Sequence, residues 1–302
     1  MKNQWRIPVI LCFLLLLTLS CRIKIPRMGN TESSATAQAG QESAQNPSIP
    51  DESQPTPQVE NTIPAAGETL YFLAFPVEVK DATGALKVIA ARALKGLYGL
   101  DIIVILENTS SDPLQIYQSL DWQAKVFDAG GKVIGEEKLS TDVGFPPGQK
   151  IVLRAWVNQW EGDAERFELE IVGGKVRFIQ EDMQDKFRAL QMPSPLFTVE
   201  AQPFTLTDDT FFKRKVIRTQ AKAVVRNPNP GVGKNIETTA VYFDTSGQII
   251  GYAKGEILEI PAGGQVSTVY EGNPYFAGDP ARAEYYAFPY DPYYIEDLFK
   301  MW

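Results

Sequence analysis

The chain has 302 residues, with 29 Lys and Arg against 37 Asp and Glu, a formal net charge of −8, no histidine and two cysteines. The missing imidazole excludes Ser-His-Asp and Cys-His catalysis and the usual Cys/His zinc sites. The acidic balance repels phosphate backbones and speaks against nucleic acid as a partner. A carboxylate-only site, for calcium or for glycoside chemistry, is left open by the composition.

At the N-terminus Lys2 and Arg6 precede an apolar run from Ile7 to Leu19, followed by Ser20 and Cys21. Residues 7–20 number fourteen, too few for a hydrocarbon core that needs ~20, and suit the h-region of a cleaved signal. A basic start, a short apolar stretch and the ending Thr18-Leu19-Ser20-Cys21 resemble a bacterial lipoprotein signal peptide with its lipobox. Leucine is the family's preference where Thr18 stands. The resemblance implies a signal over 1–20, cleavage before Cys21 and lipid on the Cys21 sulfur. Each buried CH₂ contributes ~0.8 kcal/mol, so two or three acyl chains hold firmly where one does not. Arg22, Lys24 and Arg27 keep a second reading open, an uncleaved anchor with Cys21 an ordinary thiol. A third reading is plain secretion, and all three place the remainder outside the cytoplasm. With Cys12 lost alongside the signal no intramolecular disulfide is available, so the fold must rest on core packing.

Residues 21–66 are rich in Ser, Gln, Asn, Pro, Ala and Thr and nearly free of large apolar side chains. Such a segment cannot bury enough apolar area to offset its ordering entropy and is expected to be a disordered tether. As a flexible coil it would average roughly 35–40 Å end to end.

Beyond it the composition is globular and the chain repeats itself. Val126-Phe127-Asp128-Ala129-Gly130-Gly131-Lys132-Val133-Ile134-Gly135 returns as Tyr242-Phe243-Asp244-Thr245-Ser246-Gly247-Gln248-Ile249-Ile250-Gly251. Phe145-Pro146-Pro147-Gly148 returns as Ile260-Pro261-Ala262-Gly263, Trp160-Glu161-Gly162-Asp163 as Phe276-Ala277-Gly278-Asp279, and Leu106-Glu107-Asn108 as Val225-Arg226-Asn227. A spacing this long means two modules, over 67–179 and 195–290, rather than a solenoid. Phe-Asp-x-x-Gly reads as a hairpin in which the Asp carboxylate caps turn N–H groups and Gly supplies positive φ. Pro-x-Gly reads as a second tight turn. The run Asp101 to Leu106 suits a buried strand. Ile217, Thr219, Ala221, Ala223 and Val225 alternate with Arg218, Gln220, Lys222 and Arg226 as in a half-exposed one. Short strands with turn signals about every ten residues predict an all-β fold of two tandem β-sandwiches.

Asn108 with its polar loop, Ala124-Lys125-Val126-Phe127-Asp128, the turn glycine and Pro146-Pro147-Gly148 resemble the FxLYD domain of envelope proteins. Ala240-Val241-Tyr242-Phe243-Asp244 matches in the second copy, and both copies have Ala at the family's leading Phe. Asn227-Pro228-Asn229-Pro230, Gly247-Gln248-Ile249-Ile250-Gly251 and Ile260-Pro261-Ala262-Gly263 are similar to the water-stress domain of late-embryogenesis-abundant proteins. Both resemblances imply an immunoglobulin-like sandwich, and neither implies catalysis.

Between the modules, Met183, Phe187, Leu190 and Gln191 fall near helical spacing before Pro193, which predicts a short helical connector over 180–194. The tail 291–302 is aromatic. Asp291 as N-cap and Pro292 at the first helical position predict a helix with Tyr294, Ile295, Leu298 and Trp302 on one face. That face either covers the second sandwich or offers Tyr294, Leu298 and Trp302 to a partner.

Asp128 and Asp244 are assigned to their turns, and the adjacent Asp208-Asp209 to a solvated loop. Lys213, Lys215, Arg218 and Lys222, with Arg214 and Arg226, form the one basic stripe. It reads as the wet face of a strand or as a contact for anionic lipid or wall polymer. The expectation is a non-enzymatic envelope lipoprotein, a binding or assembly module without catalytic residue, cofactor or metal. It would sit on the extracytoplasmic face of the cell membrane, with the membrane, through lipid on Cys21, and an unknown envelope protein or polymer as partners. The alternative is a structural or stress-protective envelope protein without a defined ligand.

Overall fold

The computed structural model describes residues 69–95, 99–176, 181–189, 195–211, 214–271, 276–295 and 298. The signal, the tether, Lys213 and Trp302 lie outside these. Asn61–Trp302 is one compact unit, and among the described residues no helix is long and apolar enough to cross a membrane.

The fold is all-β and sandwich-like. In the first repeat β1 (Leu73–Asp81), β2 (Leu86–Lys95), β3 (Leu100–Asn108) and β6 (Lys150–Val157) pair in that order. On the other side β5 (Val133–Phe145), β4 (Tyr117–Phe127) and β7 (Arg166–Val176) pair in sequence, and β7 also pairs with β1. One strand serves both sheets. Leu73 to Pro76 lie antiparallel to β2, and Val77 to Asp81 lie parallel to β7. Proline has no N–H to continue a ladder, and Pro76 is the last residue paired to β2.

A helix, α1 (Glu181–Ala189), follows, with Phe187 buried. Next come β8 (Thr198–Ala201), β9 (Thr205–Phe211), β10 (Arg214–Arg226), β11 (Gly233–Phe243), β12 (Ile249–Ile260), β13 (Gln265–Glu271) and β14 (Arg282–Pro289). β10 pairs with β8, β9 and β13, while β11 pairs with β12 and β14. The scheme of the first repeat therefore returns: β3 with β6 becomes β10 with β13, and β5-β4-β7 becomes β12-β11-β14. Registers match as well. Phe127 sits opposite Arg166 and Phe243 opposite Arg282, each member displaced by 116.

The same local devices recur at matching places. Gly131 and Gly247 close the Asp turns at φ 77° and 82°. Lys132 N donates to Asp128 Oδ1 at 2.9 Å, and Ser246 N and Gln248 N both donate to Asp244 Oδ1 at 2.9 Å. Arg166 lies 3.7 Å over the Phe127 ring and Arg282 3.9 Å over Phe243. Gly135 lies against Trp160, and its counterpart Gly251 lies against Phe276, where a Cβ would come within 2.5 Å of the ring. Gly251→Ala is expected to cost about 1–3 kcal/mol by overpacking, read as a lower urea midpoint at unchanged slope.

Packing joins the repeats. β3 is buried along nearly its whole length, on both faces. Val241, Phe243, Tyr252, Tyr286 and Phe288 of the second repeat belong to the same core cluster as Ile102 to Leu106. Alternation sends Val241 and Phe243 to that shared core while Ala240 and Tyr242 face a second cluster with Ala221, Ala223 and Tyr270. Before β1, the segment 69–72 is bonded to the second repeat. Leu70 N donates to Lys215 O at 2.8 Å, Phe72 N to Phe276 O at 2.8 Å, and Tyr71 Oη to Asp279 Oδ1 at 2.6 Å.

Candidate functional site

The basic stripe lies on β10, where burial alternates as its sequence requires. Arg218, Gln220, Lys222 and Arg226 are exposed, and Thr219, Ala221, Ala223 and Val225 are buried. Three of its charges are paired. Lys215 Nζ lies 3.0 Å from Asp208, Arg218 contacts Asp209, and Arg226 lies 2.8 Å from Glu200. Lys222 forms no ion pair among the described residues, and Lys213 is outside them. Exposed pairs contribute ~0–1 kcal/mol each, but they reduce the charge the stripe presents. Asp208 and Asp209 are not in a loop. Both lie in β9, in register with β10, where cross-strand cations offset the poor strand propensity of aspartate.

The C-terminal segment begins as its sequence indicates, at Pro292 after Asp291. Its described turn, Pro292–Ile295, is 3₁₀ rather than α. Three residues per turn place Ile295 and Leu298 on one face, and both are buried. Leu298 is 1% exposed and packs with Leu196, Phe197 and Ile236; its carbonyl accepts the Gly231 N–H at 2.7 Å. Tyr294 is half-buried, with Lys234 Nζ 5.6 Å from its ring centroid. Trp302 lies outside the described residues.

Between the repeats sits a polar group that the sequence reading did not single out. Arg154 Nε donates to Asp101 Oδ1 at 2.7 Å, its guanidinium lies 5.5 Å over the Tyr252 ring, and Tyr252 Oη donates to Asp101 Oδ2 at 3.4 Å. Burial, and then the Asp101 charge, push the Tyr252 hydroxyl well above its ordinary pKa. The arrangement satisfies charges in a packed seam and holds no activated nucleophile.

A cleft of about 660 Å³ opens between β6, β8 and β14. Glu107 and Gly148 to Lys150 form one wall, Phe197, Val199 and Ala201 another, and five consecutive residues of β14, Ala283 to Ala287, the third. Tyr286 Oη donates to Glu284 Oε2 at 2.6 Å. Burial works against the Glu284 carboxylate, yet hydrogen bonds from Tyr286 and Arg282 hold it below the usual range. Burial and that same carboxylate push the Tyr286 phenol upward. The 116-residue spacing, carried past the Asp turns to the last strand of each repeat, was the signal pointing to these residues.

No family model matches the chain, and no curated protein does. Among solved structures, a red sea bream transglutaminase aligns over 68% of this chain and 31% of its own, at 13% identity and a TM-score of 0.19. The chain thus spans about a third of that protein. AerE from Microcystis aeruginosa aligns over 67% of this chain and 94% of its own, at 10% identity and a TM-score of 0.09. Likenesses this slight carry no argument about fold or function.

Proposed function

We propose that the chain is an exported, lipid-anchored envelope protein acting as a non-enzymatic binding or assembly module, two immunoglobulin-like sandwiches of the FxLYD kind carried on a tether. The observation that carries this reading is the duplication itself. The two repeats share one pairing scheme and one set of turns, and of the carboxylates common to both, Asp128 and Asp244 are committed to those turns and Glu168 and Glu284 pair with Arg166 and Arg282. Duplicated scaffold without a duplicated reactive group suits presentation of surface rather than chemistry. Lipid on Cys21 would fix the membrane end, and the segment 21–66 would hold the folded part away from it.

Two measurements test the reading. Mass spectrometry of the mature N-terminus should show acylated Cys21, with Cys21→Ser shifting the protein from the membrane to the soluble fraction; an intact, unmodified Met1 sinks the lipid anchor. Photo-cross-linking from Tyr290, which is 51% exposed, in intact envelopes should yield one discrete stoichiometric adduct. A smear, or no adduct from Tyr290 or other exposed positions, removes the binding role.

A further inference from the structure

In the first repeat β7 is paired along both edges. Val77 to Asp81 of β1 run parallel to Phe167 to Ile171, and the Ile171 carbonyl accepts the Ala82 N–H at 3.0 Å. Backbone groups alternate sides along a strand, so those of Phe167, Leu169 and Ile171 face β1. In the second repeat the counterpart of β7 is β14, and among the described strands β14 pairs with β11 alone. Matching registers carry Phe167, Leu169 and Ile171 onto Ala283, Tyr285 and Ala287. These residues line the 660 Å³ cleft. The Ala287 carbonyl points the same way as its counterpart, since the Gln149 side-chain amide reaches it at 3.4 Å. An edge of this kind is a template for another strand.

We propose that the cleft is a docking groove for an extended peptide segment of a partner protein, added parallel to β14 in the place that β1 takes on β7. Main-chain hydrogen bonds supply affinity in such additions, and alternate side chains supply specificity. The first repeat shows what fits. Val77 and Val79 turn toward the core, while Glu78 and Lys80 turn outward. Lys80 Nζ lies 2.8 Å from Glu168, which also has Arg166 at 3.6 Å. Glu284 is the counterpart of Glu168 and has Arg282 beside it, the counterpart of Arg166. The groove therefore selects β-branched apolar residues at alternate positions, facing Phe197 and Val199, and a cation opposite Glu284. This rests on the binding-module reading and assigns it a class of partner.

A synthetic peptide with the sequence of residues 73–83 is the probe, titrated into the full chain and followed by amide hydrogen exchange. Saturable binding with slowed exchange at Ala283 and Tyr285 is expected. Ala283→Pro removes a donor that faces the cleft and not β11, and should weaken binding about tenfold, the size of one hydrogen bond. Glu284→Lys should lose the native peptide and prefer one carrying Glu in place of Lys80. No saturation at millimolar peptide, or saturation without protection on β14, overturns the groove. Protection of β14 that rises with protein concentration alone assigns the edge to a second copy and overturns it too. If the peptide fails while the Tyr290 cross-link yields a discrete partner, the groove falls and the binding module stands.

Discussion

Replacing Asn227 by alanine is expected to lower stability by about 3–4 kcal/mol, because several buried backbone groups lose their partner together. Asn227 is 1% exposed. Its Nδ2 donates to the carbonyls of Gly231 at 2.8 Å and of Ile260 and Pro261 at 3.2 Å, and its Oδ1 accepts from Asn229 N at 3.1 Å. One amide thereby fastens the loop after β10 to the Pro-x-Gly turn after β12. Asn108 performs the same task in the first repeat, donating to Gln115 O and Phe145 O at 2.9 Å and accepting from Ser110 N at 3.1 Å. With fewer carbonyls to satisfy, Asn108→Ala should cost less, about 2–3 kcal/mol. Urea unfolding at constant slope measures both. A loss below about 1 kcal/mol for Asn227→Ala would show that the turns hold without the latch.

Val241→Asp is expected to cost about 4 kcal/mol or more and to unfold both repeats in one transition. Val241 is fully buried in the cluster that unites the repeats. A carboxylate placed there meets apolar side chains and has no partner to satisfy it. Calorimetry reads the result: one transition whose calorimetric and van't Hoff enthalpies agree marks a single cooperative unit. Two transitions with only one displaced would mean independent repeats. Val269→Asp is the control, since Val269 lies on an outer face at 47% exposure and its replacement should move stability little.

These two residues mark what was legible in the sequence and what was not. Asn227 was visible as a repeated position, though its reach to Ile260 and Pro261 across the chain was not, whereas Asp128, Asp244 and the glycines beside them act on backbone within a few residues, through turn chemistry that those side chains supply. Their roles and their repetition could be read directly. The apolar run at Asp101 to Leu106 announced a buried strand, but no local pattern says that a second repeat covers its other face. Asp208 and Asp209 read as loop because aspartate is poor in strands; their compensation by Lys215 and Arg218 comes from cross-strand register. Arg166 over Phe127 and Arg282 over Phe243 escaped notice for the same reason, since each pair is joined across strands far apart in the chain. The β14 edge was legible only through the repeat, once Ala283 to Ala287 could be laid on Phe167 to Ile171.

The bonds from 69–72 to the second repeat bear on the order in which the molecule is made. Tyr71 meets Asp279 across 208 positions of chain, and Leu70 and Phe72 meet Lys215 and Phe276. A ribosome delivers the first of these partners long before the last. Until Asp279 has emerged, the stretch leading into β1 is only partly seated, and the first repeat waits with that end incompletely fastened. A chain that stops between Lys215 and Phe276 can form the Leu70 bond but neither of the other two, so this fastening is complete only when the second repeat is whole.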